Sequence, residues 1–357
     1  MEGLYELVGQ IPVIGYVLQF IIYLITVLPD IAPIIVRAAV PIAFAALCGV
    51  MCERSGIVNI GIEGTMLTAA FVGWAAGVFL LPILGGEPGI FGATPTLIAA
   101  LGLAILSGVL VSVLHAWLSI SVRADQVISG VIINIAALGI TGYLNTLIAK
   151  SSPTGAGAFQ PFTPPEALTE LPVIGWIFEA VLAQGPLSLS LFVIVVIFQV
   201  LLFRSRWGLR TRSVGEHPKA AETVGIDVIR LRYRNVLAGG VLAALGGAFL
   251  SMEATASFQQ NMTAGRGFIG LAAVIIGRWS PLGAFGAALF FASSVGLGRS
   301  IEISPPPGDL GVFLSSLPGQ FFDALPYLIT IIVLAGFIGR SIPPAASGQP
   351  YQREAAT

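Results

Sequence analysis

Long apolar segments recur along the whole chain, and they constrain its fold more than any other feature. A helix needs about 20 apolar residues to cross the ~30 Å hydrocarbon core of a bilayer. A mean hydropathy of +0.92 with only 10% charged residues is typical of a polytopic membrane protein. We predict spans at 10–28, 31–51, 59–81, 96–118, 126–148, 187–203, 236–256, 268–278, 281–298 and 325–340. The predicted fold is therefore an all-α bundle of about ten transmembrane helices in a lipid bilayer.

Composition and missing motifs exclude several classes of function. The net charge of −1 gives no reason to expect a nucleic-acid partner. The two lysines, Lys150 and Lys219, do not follow a glycine as a phosphate-binding G-x-x-x-x-G-K-[ST] loop requires. The two histidines, His115 and His217, lie in different environments, which argues against a metal site. Neither H-E-x-x-H nor G-x-S-x-G occurs, so we do not expect an enzyme, a cofactor or catalytic residues in this chain.

One long polar segment, residues 204–235, interrupts the apolar pattern. Eight of the chain's 17 Lys and Arg lie in it: Arg204, Arg206, Arg210, Arg212, Lys219, Arg230, Arg232 and Arg234. Basic loops resist translocation, so the segment is predicted to be cytoplasmic. With both termini cytoplasmic, 13 of the 17 basic residues fall inside, three fall outside and Arg37 lies within a span. This distribution predicts the orientation of a multi-pass protein of the inner (cytoplasmic) membrane.

The basic segment also contains signals for a short helix. Pro218 suits the first helical position, and Gly225 suits the residue just beyond the helix end. Asp227 can cap the helix that continues into the next span. The alternative interpretation is a solvated basic connector. The sharper interpretation is a helix presented to a soluble cytoplasmic partner.

Small residues supply the predicted helix packing. Gly239, Ala243 and Gly247 fall on one face of their span, where they allow close backbone approach. Cys48 and Cys52 lie four residues apart in an apolar helix and are interpreted as small packing residues. We predict a single transmembrane domain over residues 1–340, with an irregular external loop at 149–186 and a disordered cytoplasmic tail at 341–357.

Polar residues inside the spans are candidates for a translocation pathway. Asn59 and Glu63 enter a glycine-interrupted helix, where a carboxylate should face the protein interior. The alternative for Glu63 is a structural cap or a partner for Arg37. Asn134 could line a central path or make a helix–helix hydrogen bond.

Aromatic residues near the external mouth could serve the same pathway. Phe258 and Phe268 flank polar residues there and suit a passing purine or sugar ring, although a solvated loop explains them as well. The interrupted segments 59–77 and 265–289 occupy corresponding places in the two halves. This hints at an inverted repeat of five plus five helices.

Three motifs together resemble permease subunits of ABC importers of the ribose, branched-chain amino acid and basic-membrane-protein type. They are E-R-S-G-I-V-N-I-G-I-E-G-T-M (Glu53–Met66), G-L-R-T-R-S-V-G-E-H-P-K-A-A-E-T-V-G-I-D (Gly208–Asp227) and G-F-I-G-L-A-A-V-I-I-G-R-W-S-P-L-G-A (Gly267–Ala284). Within this group, the chain looks most like nucleoside-importer permeases.

The resemblance implies a complex in which ATP and Mg²⁺ are bound by a separate cytoplasmic ATPase. A second permease, identical or related, and an extracytoplasmic solute-binding protein complete it. The implied substrate is a nucleoside first and a simple sugar second. The resemblance assigns a coupling helix that docks in the ATPase, formed by Gly215, Glu216, His217, Pro218, Lys219, Ala220, Ala221, Glu222 and Gly225. The competing hypothesis is an ion-coupled secondary transporter of small polar solutes.

Overall fold

The computed structural model describes residues 14–150, 155–172, 174–332, 335 and 341–352. Every helix of four or more residues in these ranges is numbered in chain order. The helices are α1 Ile14–Glu53, α2 Ile62–Leu84, α3 Pro95–Ala116, α4 Gln126–Ala149, α5 Glu166–Thr169, α6 Gly175–Leu182, α7 Pro186–Arg204, α8 Arg206–Glu216, α9 Pro218–Thr223, α10 Val228–Phe249, α11 Arg266–Ile276, α12 Pro281–Ile303, α13 Gly308–Ser315 and α14 Gly319–Ile332. Short π-helical segments extend α3 to Val122 and α10 to Ala254. The all-helical class is confirmed for this part of the chain.

Seven of these helices are long and apolar enough to cross a membrane, so the predicted count of about ten is not confirmed. They are α1, α2, α3, α4, α7, α10 and α12, and α11 is a shorter apolar helix. The predicted segment 325–340 falls partly on α14 and partly on residues outside the described ranges. The other predicted spans from residue 59 onward each coincide with one helix.

Two predicted spans, 10–28 and 31–51, lie in one continuous helix where they are described. Helix α1 has 40 residues and is about 60 Å long at ~1.5 Å per residue. The two predicted spans leave out residues 29 and 30, but the helix continues through both, although residue 29 is a proline. Proline is tolerated within membrane helices because neighbouring groups can satisfy the backbone carbonyl that it leaves unpaired.

The larger of two compact units comprises Val40–Pro161, Gly185–Ala288 and Gly336–Thr357. Small residues bring its helices together. A Cβ atom added at Gly247 would lie 2.1 Å from the backbone oxygen of Met66, and one added at Gly239 would lie 2.9 Å from Cys52 Sγ. Cys48 and Cys52 are free and buried. The predicted role of these residues in close packing is confirmed.

The smaller unit comprises Met1–Ala39, Phe162–Gln184 and Leu289–Ala335. The Tyr23 hydroxyl donates to the backbone oxygen of Ser304 at 2.8 Å and accepts from Ser300 Oγ at 2.8 Å. Its ring packs with Ile301 and Phe322 in a buried cluster. Because both polar and apolar parts of Tyr23 are used, this residue anchors the unit.

Two polar regions contain more structure than the sequence predicted. The loop 149–186 contains the short helices α5 and α6. Residues 341–352, predicted to begin a disordered tail, instead make backbone hydrogen bonds to Gly215 and Gly56. Residues 353–357 lie outside the described ranges.

Local signals in the basic segment are confirmed. Helix α9 begins at Pro218, Gly225 has a positive φ of 83°, and the Asp227 side chain accepts from Arg230 N at 2.9 Å at the start of α10. Helix α8 was not predicted. The Ser205 hydroxyl caps it by accepting from Gly208 N at 3.0 Å.

Candidate functional site

The three sequence motifs meet in the larger unit, at a region that we call the motif junction. It consists of the turns 54–61 and 277–280, and helix α8 packs against it. The Glu53 carboxylate accepts from Trp279 Nε1 at 2.5 Å. The Arg54 guanidinium donates to the backbone oxygens of Trp279 at 2.8 Å and Arg278 at 3.2 Å. These bonds join segments more than 200 residues apart, so the first and third motifs form one structural element.

The second motif contacts the junction through Gly215. A Cβ atom added there would lie 2.3 Å from the backbone oxygen of Arg54, so only glycine allows α8 to approach this closely. The Arg54 guanidinium also lies 5.7 Å from the ring centroid of Phe203. Burial lowers the pKa of Arg54, with the nearby Glu216 carboxylate opposing the shift and Arg212 adding to it. An arginine with this partner remains charged at neutral pH.

Helix α9 has one buried and one exposed face. Ala221 is buried and packs with Val214 and Val228. The exposed coupling residues are Glu216, His217, Lys219, Ala220 and Gly225, together with Thr223 and Val224. Pro218 and Glu222 are half-buried, and Gly215 is buried. Val224 is 75% exposed, which is unusual for an apolar side chain in a polar segment. This arrangement gives α9 a small surface that a partner could contact.

Glu63 caps helix α11. Its Oε1 accepts from Gly265 N at 2.7 Å and its Oε2 accepts from Gly267 N at 2.6 Å. A carboxylate at a helix N-terminus is stabilised by the unpaired N–H groups and by the helix dipole. The structure therefore realises the capping alternative for Glu63. A contact with substrate stays a prediction.

Asn59 lies within the turn 54–61, and Asn134 of α4 lies beside that turn. Asn134 Nδ2 donates to Ile60 O at 3.0 Å, and its Oδ1 accepts from Gly64 N at 2.7 Å. This is the helix–helix hydrogen bonding foreseen as the alternative role. Asn59 is 1% exposed, its Nδ2 lies 3.9 Å from the Sγ atoms of Cys48 and Cys52, and its buried Oδ1 accepts no hydrogen bond from the described residues. The structure thus brings Asn59, Glu63 and Asn134 together around one turn.

The two aromatic candidates have different environments. Phe258 is 6% exposed and packs edge-on against Phe71 at a centroid distance of 5.2 Å. It also stacks with Trp74 at 6.1 Å. Phe268 is 47% exposed on α11. Sequence reasoning missed Phe71 and Trp74, although their i, i+3 spacing on α2 indicates a shared helix face.

Glu253 makes a second cap of the same kind. Its carboxylate accepts from Leu187 N at 2.7 Å and from the Ser188 hydroxyl at 2.5 Å, at the start of α7. Within the described residues no group of three or more His, Cys, Asp or Glu is placed to hold a metal ion. Glu63 and Glu253 thus each bind the N-terminus of another helix.

Comparison with known proteins decides the family. Residues 31–334 match the model of the family described as branched-chain amino acid transport system / permease component. The chain belongs to this permease family. The match includes the motif junction, α9, Asn59 and Glu63. The expected resemblance is confirmed.

Three relatives align with this permease over most of its length. It is 39% identical to the guanosine ABC transporter permease protein NupQ of Bacillus subtilis, over 92% of this chain and 98% of the relative. It is 38% identical to the nucleoside ABC transporter permease protein NupC of Lactococcus lactis, over 87% and 93% of the two chains. It is 32% identical to the putative glucose ABC transporter permease protein TsgC13 of Haloferax volcanii, over 89% and 96%.

Proposed function

We propose that this permease is the translocation subunit of an ABC importer of nucleosides. Two relatives at 38–39% identity carry guanosine or nucleoside in their names, which supports this substrate class. The relative named for glucose keeps a simple sugar as the second candidate. The observation that carries the proposal is the placement of α9. Its outer face is exposed, while Gly215, near the end of the preceding helix α8, abuts the motif junction at Arg54.

In the proposed mechanism, a separate cytoplasmic ATPase binds ATP and Mg²⁺ and moves α9. Backbone contact between Gly215 and Arg54 passes that motion to the turn 54–61. The hydrogen bond from Arg54 to Trp279 passes the motion to the turn 277–280. Because Glu63 of α2 caps α11, these two helices move together. Such rigid connections suit a transition between two packed states, in which access alternates between the membrane faces.

The proposal includes three further partners or features. A second permease, identical or related, completes the pathway, and an extracytoplasmic solute-binding protein delivers the solute. Residues 204–235 and both termini lie in the cytoplasm, as the distribution of basic residues indicates. The five-plus-five inverted repeat stays part of this proposal.

An ion-coupled secondary transporter is the alternative function. It requires titratable groups that exchange protons or ions along the pathway. The buried carboxylates Glu63 and Glu253 each accept two or more hydrogen bonds at the N-terminus of another helix, which favours a structural role for both. Uptake that follows an imposed ion gradient without ATP would favour this alternative.

Replacing the exposed apolar residue on the coupling segment tests the main proposal. In Val224→Asp, we expect the partner cytoplasmic ATPase to co-purify about tenfold less, because a charge is placed at the interface. The matched control is Val312→Asp, since Val312 is equally exposed, at 74%, and lies on α13, which the proposed orientation places on the extracytoplasmic side. Equal ATPase recovery with Val224→Asp and wild type would contradict the assignment of α9.

A further inference from the structure

The C-terminal segment 341–352 is held by backbone hydrogen bonds on two sides. Ala346 N donates to the backbone oxygen of Gly215 at 2.8 Å, at the end of α8. Gly348 N donates to the backbone oxygen of Gly56 at 3.2 Å, in the turn 54–61. The segment therefore bridges the base of the coupling helix and the motif junction.

A buried arginine also binds both the turn 54–61 and the C-terminal segment. Arg232 on α10 is 1% exposed. Its Nε donates to Ser55 O at 3.0 Å and its Nη1 donates to Gln349 O at 3.1 Å. A buried charge is costly unless it is paired or hydrogen-bonded, and here two of its partners are carbonyls from the two sides of the bridge. Displacing the C-terminal segment would remove one of those carbonyls.

Tyr351 anchors the end of the segment. It is 7% exposed and packs with three apolar residues, Val214 of α8, Ala221 of α9 and Val228 of α10. Its hydroxyl donates to the carboxylate of Glu222 on α9. An aromatic side chain with a buried ring and a hydrogen-bonded hydroxyl is a strong anchor.

A groove of about 800 Å³ lies between the coupling helix and the anchored segment. One wall is formed by residues 216–220, and the other by Ala345, Ala346 and residues 349–352. Ala345 N donates to Glu216 Oε2 at 3.1 Å and joins the two walls. The C-terminal segment therefore lies directly beside the exposed side of α9.

We propose that residues 341–352 form the second half of the docking surface for the cytoplasmic ATPase. The inference rests on the proposed coupling role of α9 and adds a partner contact that α9 alone does not define. The ATPase is the occupant because the groove is continuous with the coupling surface and includes residues 216–220. Gln352 lines the groove and is exposed, so its side chain faces the site where the ATPase would sit.

Site-specific cross-linking in the assembled complex tests this surface. The chain's own cysteines, Cys48 and Cys52, are buried, so a thiol cross-linker reports on introduced cysteines. We expect Gln352→Cys and Val224→Cys to cross-link to the ATPase and Val312→Cys not to do so. A cross-link from Val224→Cys without one from Gln352→Cys would overturn the inference and leave the proposed function intact. Failure of both cross-links would count against the proposed function itself.

Releasing the anchor provides a second, independent measurement. In full-length Tyr351→Ala, we expect affinity for the ATPase to fall about tenfold, within the usual range of coupling between sites. The cross-link from Gln352→Cys should be lost in this background, while the cross-link from Val224→Cys reports that α9 remains folded. Tyr351→Phe keeps the ring and removes only the hydroxyl bond, so it should lose less affinity than Tyr351→Ala. Unchanged ATPase affinity in Tyr351→Ala would refute the proposal.

Discussion

Two asparagines next to one turn have opposite hydrogen-bonding states. Asn134 uses both ends of its amide, on Ile60 and Gly64, whereas the buried Oδ1 of Asn59 accepts nothing from the described residues. A buried polar atom without a partner costs about 1–3 kcal/mol, so each such atom in a folded protein calls for an explanation. This contrast makes Asn59 the stronger candidate for a residue of the translocation pathway.

Alanine substitutions separate the two roles. We expect Asn134→Ala to lower the free energy of unfolding by about 2 kcal/mol, because two backbone groups lose their partner. Asn59→Ala should change it by less than about 1 kcal/mol, since the lost packing is offset by removal of an unpaired oxygen. Uptake by the reconstituted importer should nevertheless fall in Asn59→Ala. Normal uptake with normal stability in that variant would remove Asn59 from the pathway.

At the scale of elements, two carboxylate caps link pairs of helices that are distant in sequence. Glu63 on α2 fixes the N-terminus of α11, and Glu253 after α10 fixes the N-terminus of α7. Each carboxylate makes charge-assisted bonds in a buried place, where such bonds are strong. We infer that α2 and α11 move as one body during transport.

Removing the cap of α11 tests this link. In Glu63→Ala, we expect a loss of about 3 kcal/mol in the free energy of unfolding in mixed micelles, because two backbone N–H groups lose a charged acceptor. Glu63→Gln should lose less, since its amide oxygen can still accept one bond. The matched control is Glu87→Gln, an exposed carboxylate, which should leave stability unchanged. Similar stability of Glu63→Ala and wild type would show that the cap does not hold α11.

The caps also show which features the sequence could predict. Pro218, Gly225 and Asp227 act on residues within a few positions of themselves, so the ends of α9 and the start of α10 followed from local rules. Glu63 bonds to residues 202 and 204 positions away. Its cap could be offered only as an alternative, because the partner is set by tertiary packing. Helix α8 was missed because its polar, basic sequence resembles a loop in composition.

At the scale of the whole molecule, hydropathy located most spans and misjudged their limits. The continuous α1 was predicted as two spans, 10–28 and 31–51, because a bilayer core requires only about 20 apolar residues per helix and α1 has 40 residues. The convergence of three motifs could not be read from their spacing, since Glu53 and Trp279 are 226 positions apart. Residues 341–352 were predicted to be disordered because their backbone partners, Gly56 and Gly215, lie far earlier in the chain.

Orientation in the membrane is the whole-molecule property on which the proposed coupling depends. The sequence contains two lysines, Lys150 at the end of α4 and Lys219 on α9, and both are exposed. The distribution of basic residues predicts that Lys219 is cytoplasmic and that Lys150 is external. An amine reagent that cannot cross the membrane should therefore label Lys150 in intact cells and Lys219 only after permeabilisation.

The single variants Lys150→Arg and Lys219→Arg assign each labelled peptide by mass spectrometry, because each removes one amine and keeps the charge. The labelling pattern of α9 bears directly on the docking of an ATPase, since a soluble cytoplasmic protein can reach only one face of the membrane. Labelling of Lys219 from outside intact cells would place α9 and the groove beside it on the external face of the membrane, where a cytoplasmic ATPase cannot reach them. That result would contradict both the proposed coupling role of α9 and the proposed docking role of residues 341–352.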